Sequence, residues 1–199
     1  MRVLDDAGGG DRRGGAPARK PHRYATRIIW TGDRGSGTSS YTSYGRDYRV
    51  LVDGRPELLG SADAAFRGDP DRHNPEDLFV VAVAACHMLS YLSLCARHGV
   101  RVLSYEDEAS GTLVLHPGGG GRFDAIELNP VVVVAEGSDE ALALRLHDEA
   151  HKRCFIANSC SVPIRHRVTV RTAAARDLPP VVRDPAAGES AAAATEAER

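Results

Sequence analysis

The stretch from Asn74 to Gly99, NPEDLFVVAVAACHMLSYLSLCARHG, decides how the rest of the chain is read. Asn74 is a good N-cap, and Pro75 suits the first helical position. Glu76 and Asp77 complement the positive end of a helix, and Gly99 suits the position just past its last turn. The pattern predicts one long helix that is apolar almost all round, so burying it takes neighbours on every side, a second subunit among them. Its valine-rich middle is where it would break into two pieces.

Downstream, VRVLSYEDEASGTLVLHPGGGGRFDAIELNPVVVVAE reads as two or three strands joined by a Gly-rich turn at 118–121. SDEALALRLHDEAHKRC reads as an amphipathic helix capped by Ser138, and VPIRHRVTV as a final strand. Upstream, RYATRIIWTGDRGSGTSSYTSY reads as a strand, a Gly/Ser turn and a further extended piece. RDYRVLVDGRPELLGS reads as a strand running into an Asp53-Gly54 turn. Strands, a long helix, strands, a second helix and a last strand make an α+β order rather than repeated βαβ units. The folded domain is expected over 23–171. The Gly/Arg/Ala-rich residues 1–22 and the Ala/Pro-rich residues 172–199 are expected to be disordered.

A chain of 199 residues can bury a real core as one domain. Its formal net charge of −2, with both signs interspersed, argues against nucleic-acid and membrane-surface binding. The longest apolar run, Leu78 to Cys86, is too short to span a bilayer. The first twenty or so residues lack the apolar segment of a secretory signal, so a cytoplasmic location is expected. In that compartment four cysteines do not make a structural disulfide framework.

Cys86 has His87 beside it, and a cysteine near a positive charge becomes a thiolate nucleophile. The plain alternative is a small core residue. Cys95 lies nine positions on, about 900° around the helix and so on its opposite face, which makes it the candidate core cysteine. Cys154 continues the stripe Leu142, Leu146, Ala150 on the second helix, and Cys160 falls in the loop beyond it. Spacing alone does not decide which cysteines meet. HDEAH, His147 to His151, has the two-histidine spacing of a zinc-protease helix but carries Asp148 where that motif needs Glu. It reads as an exposed polar face. Cys86, His87, His151 and Cys154 would make a mixed metal site, yet CxxC spacing is missing, and no metal or cofactor is expected.

NPEDLFVVAVAACHMLSYL resembles the Asn-Pro-Glu helix and nucleophilic cysteine of the OsmC/Ohr family of bacterial peroxidases. AHKRCFIANS resembles its second-cysteine segment, YGRDYRV the stretch that carries a catalytic arginine, and WTGDRGSGTSSY its first strand and turn. The likeness runs over about 24–170. The separations of 10 residues from Glu76 to Cys86 and 68 from Cys86 to Cys154 are close to the family pattern. The resemblance implies antiparallel sheets around central helices and an intertwined homodimer with two sites at its interface. It implies Cys86 as the thiol that attacks an organic hydroperoxide and Cys154 as the thiol that resolves it. Arg46 would stabilise the thiolate and Glu76 would orient Arg46, with Arg67 in DAAFRGD as the alternative arginine. It also implies a thiol reductant, a lipoylated protein in the hydroperoxide-resistance branch.

The chemistry needs these residue types. A thiolate attacks the peroxide oxygen, so a cation must favour the ionised form. A guanidinium also donates to the departing alkoxide, and a carboxylate fixes the guanidinium. The resulting sulfenic acid condenses with a second thiol. On a straight helix residues 76 and 86 are about 15 Å apart. They share a site only if the helix breaks, Arg46 spans the gap, or a second subunit contributes. Tyr41, Tyr44 and Phe79 predict an apolar pocket that favours bulky hydroperoxides. The competing readings are a Cys/His metal protein and a non-catalytic dimer that binds a small apolar ligand.

Overall fold

The valine-rich segment does not break. In the computed structural model, which describes residues 21–174 and Asp177, a single helix α1 spans Pro75–Arg97. Asn74 accepts from the Asp77 N–H at 2.7 Å, and Glu76 and Asp77 occupy the first turn. At the far end Gly99 takes a φ of 73°, which lets the Val100 N–H return to the Cys95 carbonyl at 3.0 Å and close the helix. By length and composition α1 is apolar enough to cross a membrane, with a mean hydropathy of 2.0 over its most apolar window. This departs from the expectation drawn from Leu78–Cys86. The helix is nonetheless tied into protein on one side, where Val83, His87, Tyr91, Leu94 and Cys95 are buried.

Before α1 come β1 (Arg27–Trp30), β2 (Tyr48–Leu51) and β3 (Leu58–Gly60), an antiparallel sheet in that order. After it come β4 (Val102–Asp107), β5 (Ser110–Leu115), β6 (Gly121–Leu128), β7 (Pro130–Ala135), α2 (Glu140–Arg153), β8 (Ile164–His166) and β9 (Thr169–Ala173). The segment expected to hold two or three strands holds four, for a simple reason. It is one long hairpin turning at Gly118–Gly120, and both arms are bent at the same level, after Asp107 and after Leu128. Asn129 stitches the bend by donating its side chain to the Glu108 carbonyl at 2.9 Å, while its N–H donates to Asp107 at 2.7 Å. The final strand is bent likewise, so β8 pairs in parallel with β6 and β9 in parallel with β7. The sheets are therefore β4-β7-β9 and β5-β6-β8, each antiparallel with one parallel edge. β9 continues to Ala173, past the boundary expected at 171. The tails expected to be disordered lie almost wholly outside the described residues.

α2 is capped by Asp139, whose carboxylate accepts from the Leu142 N–H at 2.8 Å, and not by Ser138, whose hydroxyl accepts from the Arg101 N–H. Two cores result. One packs Tyr91, Leu94 and Cys95 of α1 against Val132 and Val134 of β7 and Ala143, Leu146 and Ala150 of α2. The other packs Val83 with Ile126 and Leu128 of β6. Truncating one of these large buried residues to Ala costs about 2–5 kcal/mol. Cys86 and His87 fall on α1 between the two cores.

Candidate active site

Cys86 is half-buried and Cys154 is 1% exposed. The fold sets them in direct interaction, Cys86 from the middle of α1 and Cys154 as the residue that ends α2. The turn after α2 fixes Cys154. The Ala157 N–H donates to its sulfur at 3.3 Å, and the Asn158 amide donates to the Cys154 and Lys152 carbonyls at 2.9 Å each. Burial, followed by the Cys86 side chain, pushes the Cys154 thiol up to about 11, despite backbone donors that favour its thiolate. Cys154 is thus a protonated, sheltered thiol, and Cys86 is the more open of the two. Cys95 lies buried beside Tyr91, and burial raises its thiol as well. Cys160 is half-buried, with its S–H on the Ala157 carbonyl at 3.6 Å.

The histidine next to Cys86 is not free to act as its cation. His87 is 1% exposed, and its Nε2 meets Nδ1 of His147 at 3.0 Å. His147 is fully buried, which corrects the reading of HDEAH as an exposed polar face. Its ring stacks on Tyr91 with centroids 3.7 Å apart. Burial first, then neighbouring histidines, lowers His87 to about 4 and His147 to about 3, so both are neutral near pH 7. His166 lies 5.6 Å from the His87 ring and meets Asp148 at 3.0 Å. The His147 signal was available in the sequence: Ala143, Leu146, His147, Ala150 and Cys154 share one helix face. Among the described residues no group of three His, Cys, Asp or Glu side chains is placed to hold a metal ion, so Cys86, His87, His151 and Cys154 do not form the mixed site considered above.

Arg46 is elsewhere. It sits in the loop before β2, where it donates to the carbonyls of Tyr44 at 2.6 Å and Tyr41 at 2.8 Å. Its guanidinium lies over both rings, 4.1 Å from the centre of Tyr44 and 4.6 Å from that of Tyr41. The loop is pinned by Trp30, which donates to the Gly45 carbonyl at 2.8 Å, and by the Gly45 N–H on the Gly32 carbonyl at 2.7 Å. A Cβ on Gly32 would stand 2.0 Å from the Gly45 oxygen, so this approach requires glycine. Arg46 is a held cation with no carboxylate partner among the described residues.

Glu76 is half-buried at the start of α1 and lines a cavity of about 530 Å³ with Asp63, His73, Val80 and Phe123. It also helps raise the Tyr48 hydroxyl, after burial. Among the described residues no hydrogen bond or ion pair joins Arg46 to Glu76 or Cys86. With α1 unbroken, Glu76 and Cys86 stay about 15 Å apart along one helix. Arg67 is exposed, in a left-handed turn at φ 67°. Phe79 packs on Phe123 with ring centres 5.3 Å apart, so it does not join the tyrosines around Arg46 in one pocket within a chain. One chain therefore assembles the two thiols and leaves the arginine and the glutamate apart from them.

A family model described as OsmC-like protein matches residues 68–169. Among solved structures, an OsmC-like protein of unknown function from Vibrio cholerae is 28% identical, with 74% of this chain and 99% of that one aligned at a TM-score of 0.67. An organic hydroperoxide resistance protein from Legionella pneumophila is 18% identical over 76% of this chain and 98% of its own, at a TM-score of 0.57. Another, from Elizabethkingia anophelis, is 19% identical over 78% and 99%, also at 0.57. The last two likenesses are of fold. No curated protein matches the chain.

Proposed function

The chain belongs to the family of OsmC-like proteins, and on that premise we propose that it is a thiol peroxidase that reduces organic hydroperoxides with Cys86 and Cys154. The observation that carries this reading is the facing pair of unlike thiols, one half-open and one buried and held protonated. The Cys86 thiolate attacks the outer peroxide oxygen, the O–O bond breaks, and the alkoxide leaves to take up a proton as the alcohol. Cys86 is then a sulfenic acid. Cys154 attacks that sulfur, its proton leaves with the hydroxyl as water, and a Cys86–Cys154 disulfide remains. An external dithiol, a lipoylated protein being the reductant considered, returns both thiols by exchange.

Arg46 is the cation for this chemistry, with Glu76 as its orienting carboxylate, brought to the thiols in an intertwined homodimer. Two observations support that arrangement. Arg46 is preorganised but meets no carboxylate among the described residues, and the side of α1 away from its own core carries Val81 at 58% and Leu89 at 62% exposure. Exposed apolar side chains on a central helix call for a covering surface. The apolar surroundings favour organic hydroperoxides over hydrogen peroxide, and we place the enzyme in the cytoplasm.

A steady-state assay with cumene hydroperoxide and hydrogen peroxide, reduced by dihydrolipoamide or by monothiols, tests the reading. Consumption of the organic peroxide with dihydrolipoamide is expected. Failure to consume either peroxide with any thiol overturns it.

A further inference from the structure

We propose that the buried His87–His147 hydrogen bond is the clamp that sets Cys86 opposite Cys154, which makes both histidines positioning residues for the disulfide. This rests on reading the two cysteines as a redox pair.

The bond is a costly thing to bury. Each neutral imidazole has one N–H and one lone pair. The 3.0 Å contact uses one nitrogen of each ring, and the others, His87 Nδ1 and His147 Nε2, are buried with no partner among the described residues. Whichever tautomers are present, one donor and one acceptor are stranded. Buried unpaired polar atoms are destabilising, and two apolar side chains of similar shape would fill the space at less cost. What the pair adds is direction. The rest of this α1–α2 contact packs Tyr91, Leu94 and Cys95 against Ala143, Leu146 and Ala150, with Leu92 and Leu142 beside them, apolar packing that does not point one side chain at another. The hydrogen bond does, and stacking on Tyr91 locks the His147 ring.

The clamp sits where the cysteines need it. Cys86 immediately precedes His87 on α1. Cys154 follows His147 by seven residues, two turns on, and so lies on the same face of α2. A disulfide tolerates only Cα separations of about 4.4–6.8 Å, whereas a slip of one residue along a helix moves a side chain by about 1.5 Å and rotates it by about 100°. The register fixed at the histidines is thereby passed to the sulfurs.

The test measures the Cys86–Cys154 equilibrium in the full-length protein, without peroxide. Oxidised dithiothreitol takes two electrons and two protons from the two thiols, giving the disulfide and reduced dithiothreitol, and peptide mass mapping reads the ratio. His147→Leu is expected to shift the equilibrium at least tenfold towards the dithiol, about 30 mV. His147→Asn, whose amide reaches the Nδ1 position, is expected to restore it to within about threefold. If the Leu variant does not fold, His147→Gln takes its place, since its amide reaches the Nε2 position and offers nothing to His87; the same tenfold shift is expected. Val134→Ala, in the same core, is expected to lower stability without moving the equilibrium. Equal ratios in wild type and His147→Leu or His147→Gln, or no recovery in His147→Asn, overturn the clamp alone. A wild-type chain that forms no Cys86–Cys154 bond overturns the redox pair and the clamp with it.

Discussion

Around the two helices the polar groups are buried, or half-buried in the case of Cys86, and meet one another within a single chain: Cys86 with Cys154, His87 with His147, His147 on Tyr91. On the first sheet the corresponding groups face outward. Arg46, in the loop before β2, is gripped by two carbonyls and two tyrosine rings, yet among the described residues it has no anion, and Ile28, Trp30 and Leu59 of the same sheet are left exposed. A redox pair needs its two thiols held at a closely fixed separation, because a disulfide tolerates little error in it, and here both thiols come from one chain. A stabilising charge acts over several ångströms and can be delivered by another copy. The difference teaches where to look for each part of the chemistry.

The harshest way to break the contrast is at the sulfurs. Cys86→Ser should abolish hydroperoxide consumption, by 10³-fold or more, since the nucleophile itself is lost. Cys95→Ser, on the same helix but buried beside Tyr91, should retain activity within a few-fold in the folded fraction. Stopped-flow peroxide decay checks both. Equal losses in two folded variants would remove the distinction between the two faces of α1.

The first sheet predicts a smaller effect of a different kind. Arg46→Ala should slow peroxide reduction near neutral pH by about 10²-fold, the order expected for loss of one charge-stabilising donor. Leu89→Asp, far from Arg46 in sequence, should do the same by preventing α1 from being covered. Sedimentation should show Leu89→Asp as a monomer and Arg46→Ala as a dimer. A wild-type chain that sediments as a monomer yet is fully active would place the whole site within one chain and refute this account of Arg46.

A third test concerns the histidines. The ordinary value of 6.5 falls to about 4 for His87 and about 3 for His147 in the folded protein, because burial disfavours the charged ring. Below pH 6.5 the unfolded chain therefore takes up protons that the folded chain refuses, and stability falls as the pH drops towards 4. His87 alone accounts for roughly 2–3 kcal/mol between pH 7 and pH 4.5. Urea unfolding at fixed protein concentration should show this slope. His87→Phe should remove roughly half of it, because the depressed His147 remains. The slope left in His87→Phe reports His147.

Much of this was legible in the sequence, and what was not has identifiable causes. The caps of α1, the stripe Leu142–Leu146–Ala150–Cys154 and the opposite facing of Cys95 follow from helical geometry, which is local. The bends after Asp107 and Leu128 were not visible, because a strand that continues after a kink keeps its alternation and only pairing reveals the break. HDEAH was misread because polar residue type outweighed position: His147 lies on the apolar stripe and its partner is 60 residues away. The arginine was the most exposed to error, since a long side chain on a separate sheet leaves no periodic trace of what it reaches.

The smallest expected effect sharpens that last point. Arg67 is the only non-glycine residue with positive φ among the described residues, at 67°, capping the short turn Ala64–Phe66 in front of α1. A left-handed conformation costs a side-chain-bearing residue about 1–2 kcal/mol, and glycine gives back part of that relief through the greater freedom of its unfolded chain. Arg67→Gly should therefore stabilise the fold by a few tenths to about 1 kcal/mol, read from the urea midpoint, with peroxide reduction unchanged. Because Arg67 is exposed and Arg46 is gripped, a pure backbone benefit at 67 together with a catalytic loss at 46 assigns the cation to the first sheet. If Arg67→Gly instead loses activity by the factor expected of Arg46→Ala, the cation comes from the segment that leads into α1, nine residues before Glu76. The two regions compared above would then be one.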